Sequence, residues 1–352
     1  NKNKITKLKL IILHNNQGEK TMIEGHYTRK LTNGECSYKL VYFEADLLRN
    51  IIDDSRYVIS NNSFKYNISI TEEYDNDETL DEKFKFILDN VGLGFDENNE
   101  RIFAVLLKEL SELHPEMQKR FSVYEVKKKT YIDPSYIKSM NDGEWPDPSL
   151  FSAILYQIEQ INNLCSNNDV TLFKSDYKNK PPIEFNILVL PTKKEYDNFI
   201  KVFDIMLSDN INQKFFEGQI DLIEFTNKDG TKEKYKGTIA LLKEWLGEIG
   251  VSQEIIQKSI KIIKKVRSQR SKPSHNIREN EFNIKYIQNQ NNIILEVYNA
   301  FRLLIDEISQ IKELKIKHSR WYVENRIAVQ SLEEIKNKDN ENYQLKICQS
   351  NQ

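Results

Sequence analysis

An arginine and a histidine stand five positions apart where one helical pattern gives way to the next. In the stretch KKVRSQRSKPSHNIRENEF, residues 264–282, they are Arg270 and His275, with Pro273 between them. An imidazole titrates near neutral pH, so it can take a proton and return it within one reaction. A guanidinium is planar and permanently charged, which suits the charge that builds on a phosphoryl group in a transition state. Arg267 and Lys272 flank the pair as candidate phosphate contacts. Ser271 directly follows the arginine and can donate or accept a hydrogen bond. Residues 256–278 hold eight basic side chains and no acidic one, and His275 is one of only five histidines in the chain.

The elements that must position this pair are helical. Ile256, Ile260 and Ile263 recur at helix spacing, and the same stripe continues through 266 and 267 to Arg270. Lys258, Lys261 and Lys265 fall on the opposite face, toward water. An arginine on a core-facing stripe requires a partner for its charge. Pro273 forbids a continued helical ladder and leaves His275 in the turn before the next helix. That helix is expected over about 282–312, with Ile294, Val297, Tyr298, Phe301 and Leu304 on its apolar side. Upstream, Thr192 with Glu195 reads as a capping box, opening a helix with the stripe Phe199, Val202, Phe203, Met206 and Leu207. A hairpin built on the turn NKDG interrupts at 219–237. Helix 238–250 and a helix capped by Ser252 complete four helices of bundle-forming length.

An R-x4-H pair at a helix junction in such a bundle resembles the HEPN superfamily. More closely, GTIALLKEWL, then IIKKVRSQRSKPSHNIREN, then a long helix opening EFNIKYIQNQ look like HEPN domains of bacterial defence proteins, which tend to carry an R-x-K-P-x-H core. The resemblance covers about 192–312. It implies a metal-independent endoribonuclease without cofactor, acting as an anti-phage, abortive-infection or toxin effector; the odd, scattered cysteine count, read by itself, fits a reducing cytoplasm. His275 would act on the ribose 2′-OH or the leaving 5′-oxygen, Arg270 would stabilise the phosphorane, and the products would carry 2′,3′-cyclic phosphates. HEPN sites are usually composite, so one motif per chain implies a homodimer through the 252–312 helices, or a HEPN-containing partner. In many active members Asn, Asp or His follows the arginine, whereas this chain has Ser271. The alternative reading is a non-catalytic HEPN module that binds RNA or a partner protein, with Arg270 and His275 structural.

The totals bound these readings. Lys and Arg number 51 against 53 Asp and Glu in 352 residues, a net charge of −2. A nucleic-acid site is therefore a local patch. Cys36, Cys165 and Cys348 lie far apart, form no CxxC pair and read as structural or incidental. No apolar run approaches a membrane span. GLG at 92–94 is too short for a dinucleotide fingerprint, FDENNE lacks the length of an EF-hand loop, and SYIK lacks companion motifs. His14, His26, His114 and His318 have no carboxylates at metal-ligand spacing and read as surface or packing residues.

The fold class is α+β. Residues 1–190 form a sheet-containing sensor or regulatory region, with a break near 133–149, on which a trigger ligand or protein would act. Strands are expected at 5–13, 37–43, 56–60 and 64–70, where Phe64, Tyr66, Ile68 and Ile70 share a face. Helices are expected near 79–90 and 99–113, strands at 121–131 and 183–190, and a helix at 149–164. Residues 191–315 form the bundle. Residues 316–352 are a tail with a helix near 319–337 and a strand at YQLKIC.

Overall fold

In the segment KYNISI, residues 65–70, Tyr66, Ile68 and Ile70 are buried and the residues between them half-exposed, the period-two signature of a strand with one covered face. The computed structural model describes residues 12–14, 20–22, 24–62, 65–141, 147–167, 169–225, 233–271 and 280–329. They fall into two units, one made of the described residues ahead of Asp147, the other Asp147–Val329. The fold class is α+β, as the sequence predicts: an antiparallel sheet first, helices after it. No helix among the described residues is long and apolar enough to cross a membrane.

The first unit opens with β1 (Ile12–His14) and β2 (Lys20–Met22), an antiparallel ribbon. Then follow α1 (His26–Thr32), β3 (Leu40–Glu44), α2 (Ala45–Ile52), β4 (Tyr57–Asn62), β5 (Lys65–Ile70), α3 (Glu72–Asp75), β6 (Ile87–Asp96), β7 (Arg101–Leu106), α4 (Leu107–Glu112), α5 (Pro115–Ser122), β8 (Thr130–Ile132) and α6 (Pro134–Asn141). The main sheet has the order β3-β7-β6-β5-β4, and β8 also pairs with β6. All neighbours in it are antiparallel. Cys36 is disulfide-bonded, the structural of the two readings open to it.

Three sequence expectations are overturned here. The helices expected near 79–90 and 99–113 give way to the central strands 87–96 and 101–106, and α-helix in those spans is confined to Leu107–Glu112. Every residue of β7 is buried, and a short continuous apolar run reads the same in a covered strand as in a buried helix. The strand expected at 121–131 is confined to β8 at 130–132, and its first two residues end the helix 115–122, which Pro115 opens in its first turn while the His114 ring Nδ1 accepts from the Glu116 backbone N–H at 3.2 Å. Residues 134–141, expected as a loop, form α6, which carries the buried Tyr136.

The GLG motif has a packing role. A β-carbon on Gly94 would stand 2.1 Å from the Tyr131 carbonyl oxygen of β8, and one on Gly92 would stand 2.8 Å from the Tyr136 ring. Backbone cannot move aside as a side-chain end can. We predict that Gly94→Ala destabilises the chain by about 1–3 kcal/mol or more. Urea denaturation checks this; an unchanged midpoint would mean that β8 is not fixed against β6.

The second unit is helical. Its elements are α7 (Leu150–Leu164), the short pair β9 (Ser166–Asn167) and β10 (Val170–Thr171), α8 (Lys193–Asp204), a π-turn at Ile205–Asp209, β11 (Ile223–Phe225), β12 (Glu233–Tyr235), α9 (Thr238–Glu248), α10 (Gln253–Ser271), α11 (Lys285–Ile311) and α12 (Arg320–Val323). Helix α11 packs along α7 and α10, α10 also along α8 and α9. The apolar stripe of α11 is buried as its spacing predicts: Ile294, Val297, Tyr298, Phe301 and Leu304. Helix α7 belongs with this unit, ahead of the boundary placed at 190. Its buried Gln157 donates to the Tyr298 carbonyl of α11 at 2.9 Å.

Residues 183–190 are not a strand. Their backbone is met by a side chain instead: the buried Gln290 of α11 accepts from Leu188 N–H at 3.2 Å and donates to the Asn186 carbonyl at 2.8 Å. In the tail, α12 is a single turn ended by Asn325 at φ 53°. Ala328 then bridges to Ser149, so 324–329 is not the helix expected there. YQLKIC lies outside the described residues.

Candidate phosphate-binding site at the end of α10

The helix carrying the basic stretch follows its predicted faces. Ile256, Ile260, Ile263 and Val266 are buried, while Lys258, Lys261 and Lys265 are exposed. Arg270 lies at the edge of the stripe in the last turn, with 37% of its side chain accessible. The partner that its position requires is a pair of carboxylates. Arg270 Nη1 donates to Asp204 Oδ2 at 2.8 Å and to Asp209 Oδ2 at 3.0 Å. Arg267, one turn earlier, donates from Nη2 to Asp209 Oδ1 at 2.9 Å, with its Nε 3.9 Å from Asp204 Oδ2.

The two aspartates are brought together by backbone geometry. In an α-helix, residues five apart point about 140° from each other. Here the turn after α8 is π-helical: Asn210 N–H donates to the Ile205 carbonyl at 2.8 Å, an i→i+5 bond. The wider ring sets Asp209 beside Asp204, facing the same side of α10. Both sites of the carboxylate of Asp204, which is fully buried, are filled, since Ser208 Oγ donates to Oδ1 at 2.6 Å. Asp209 remains 41% accessible, and Lys174 Nζ donates to its backbone carbonyl at 2.7 Å. Among the described residues, three cations and two carboxylates meet here. The hydrogen bonds to Asp204 and then Asp209 raise the Arg270 pKa still further, so it is charged at any working pH.

Of the residues singled out from the sequence, Arg267 and Arg270 meet here, and Ser271 ends α10. Lys272 and His275 lie outside the described residues. The chain after 279 is pinned to the start of α8: Lys193 N–H donates to the Glu281 carbonyl at 2.8 Å, and Lys194 N–H to Asn280 Oδ1 at 3.0 Å.

Beside the last turn of α10 runs an open groove of about 460 Å³, lined among others by Tyr196, Gln269, Tyr286, Asn289 and Asn292. The Tyr196 and Tyr286 rings stack, with centroids 5.3 Å apart, and Tyr196 Oη donates to Gln269 Oε1 at 2.9 Å. Its lysines are paired, Lys193 with Asp197 and Lys265 with Glu296.

Asp204, Ser208 and Asp209 escaped the sequence reading. The signal was the spacing D-x4-D, which on a regular helix separates the two carboxylates and so looks inert. The other described histidines do local work: His318 Nδ1 meets Tyr156 Oη at 3.1 Å, and burial lowers its pKa. His26 faces Glu125 at 3.4 Å. Among the described residues, no three His, Cys, Asp or Glu side chains gather as metal ligands would. No family model, curated protein or solved structure matches the chain.

Proposed function

We propose that the chain is a metal-independent endoribonuclease of the HEPN type, with Arg270 and His275 as its catalytic pair. The supporting observation is the placement of Arg270. A buried carboxylate orients its guanidinium, more than a third of the side chain stays accessible, and it lies in the last turn of the helix that leads to His275. An arginine held this way meets a phosphoryl group without first ordering its side chain. Arg267 carries a second guanidinium one turn earlier, and the groove lined by Gln269 has aromatic and amide walls of the kind on which bases stack.

The reaction follows from the residues. His275 takes the proton of a ribose 2′-OH. The oxygen attacks the neighbouring phosphorus, Arg270 stabilises the charge on the equatorial oxygens, and the P–O5′ bond breaks as the 5′-oxygen takes the proton back from the imidazolium. We predict cleavage of single-stranded RNA in excess chelator, yielding 2′,3′-cyclic phosphate and 5′-OH ends. Mass analysis of the fragments checks this; cleavage that needs Mg²⁺ and leaves 5′-phosphates would overturn it. A composite site makes the active form a homodimer through the helical unit, or a complex with a second HEPN domain. An active species with the light-scattering mass of one chain would remove that part. A toxin or defence role further predicts growth arrest on expression or triggering.

One observation favours a second reading. Every hydrogen bond of Arg270 above goes to a carboxylate, as expected of a structural arginine in a non-catalytic RNA- or protein-binding module. RNA bound but uncleaved in chelator, by a dimeric and folded chain, would select it.

A further inference from the structure

Among the described residues that line the groove beside α10, the charges cancel. Lys193 is paired with Asp197 at 2.5 Å and Lys265 with Glu296 at 2.7 Å. What remains is polar and neutral. On α11, Tyr286, Asn289 and Asn292 recur every three residues and form one wall. Asn289 and Asn292 are exposed, and their carboxamides bond to no described residue. Tyr196 of α8 does two things. Its ring stacks on that of Tyr286, with centroids 5.3 Å apart and planes 28° from parallel, and its Oη donates to Gln269 Oε1 at 2.9 Å. Burial, then Asp197 and Tyr286, push the Tyr196 hydroxyl up to about 12, so it stays a donor throughout the working range. The Gln269 carboxamide is thereby held with its oxygen engaged and its NH₂ left to donate. A volume of about 460 Å³ lies within the range of small-molecule sites.

We propose that this groove is a nucleobase site that prefers adenine. A lining of no net charge gives a phosphate little to bind and suits the uncharged part of a nucleotide. Stacking on the tyrosines supplies affinity for any base. The carboxamides supply the choice. Each presents a donor and an acceptor side by side, the pattern that matches adenine N6 and N7, whereas guanine offers two acceptors on that edge and calls for an arginine or a lysine. The lysines here are already committed to carboxylates. Cytosine and uracil bring less ring surface to stack. The ligand is an adenine ring, carried by an RNA strand or by a free nucleoside. The ribonuclease reading, on which the choice of RNA rests, makes the groove a determinant of which sequences are held.

The test uses the full chain carrying His275→Ala, to prevent cleavage, in EDTA. The probes are labelled 12-mers of adenylate, cytidylate and uridylate followed by fluorescence anisotropy, with free adenosine and guanosine followed by ligand-observed NMR. The A 12-mer should bind about 5- to 10-fold tighter than the others, the low end for a bidentate amide contact because the groove is open. Adenosine should show contact where guanosine does not. Asn289→Ala with Asn292→Ala should bring the A 12-mer to the level of the U 12-mer and leave the U 12-mer unchanged. Both asparagines are exposed, so the unfolding midpoint should hold. Tyr196→Phe keeps the ring but releases Gln269, so it should weaken the preference for A while the U 12-mer binds as before. Equal binding of the three 12-mers with no adenosine signal, or a preference for A that survives in the folded double variant, would overturn the proposal. Adenosine binding that depends on the asparagines, without a preference among the RNAs, would keep the adenine site and assign it to a free nucleoside. Sequence-indifferent binding beside chelator-resistant cleavage by the unsubstituted chain would remove this inference alone. A preference for A that the double variant loses, without cleavage by the unsubstituted chain, would remove the nuclease reading alone.

Discussion

His275→Ala is expected to abolish RNA cleavage, or growth arrest, with the fold intact. Loss of a general acid and base costs on the order of 100- to 10,000-fold in rate. A histidine in a segment between two helices contributes little packing, so its removal should cost about 1 kcal/mol of stability or less. The two effects separate cleanly: turnover should collapse while the denaturation midpoint and RNA affinity hold. Arg270→Ala should also remove activity, but it strips Asp204 and Asp209 of a shared donor and is the less clean test. Arg270→Lys sharpens it, since a lysine keeps the charge but cannot present a planar fork to a phosphate. A folded His275→Ala chain that cleaves at the parent rate would end the Arg270/His275 mechanism.

How far the site was legible depended on which periodicity carried it. The stripe Ile256–Ile260–Ile263 placed Arg270 against the bundle, and the stripe alone demanded a charge partner for it. The identity of that partner was hidden. Asp204 and Asp209 share a face only because the turn at 205–209 widens to an i→i+5 bond, and nothing in IMLSD announces a π-turn. The helices α7 and α9–α11 were read correctly because each runs three turns or more and repeats its apolar face. The first unit was harder. Strands β6 and β7 are covered on both faces through most of their length, so the alternation that marks β5 is absent, and apolar runs this short fit helix and strand alike. Residues 183–190 failed for another reason: an apolar segment reads as a strand whether or not a partner edge exists, and here the partner is the carboxamide of Gln290.

The hidden aspartate gives the largest expected stability effect at the site. Asp204→Ala removes a fully buried carboxylate that accepts from Ser208 and Arg270. Breaking a buried pair costs most when the surviving charge is trapped, but Arg270 is 37% accessible and can turn toward water. We therefore expect about 2–4 kcal/mol, from the lost charge-assisted hydrogen bonds and the cavity. Asp209→Ala, with its carboxylate exposed, should cost only about 0–1 kcal/mol. The two positions lie five residues apart and share Arg270, so burial and the Ser208 bond of Asp204 separate them. Urea denaturation of both, with the Asp204→Ala/Arg270→Ala double mutant, closes the cycle; contacting charged residues should couple by about 0.5–3 kcal/mol. Asp204 acts through Arg270, so its loss should lower kcat for RNA more than it raises KM. The isosteric Asp204→Asn should recover more stability than activity, because an amide fills the space but offers the guanidinium one neutral acceptor. Equal stability of the Asp204→Ala and Asp209→Ala chains would mean that Arg270 is not anchored by the buried carboxylate, and the positioning of the proposed catalytic arginine would need another source.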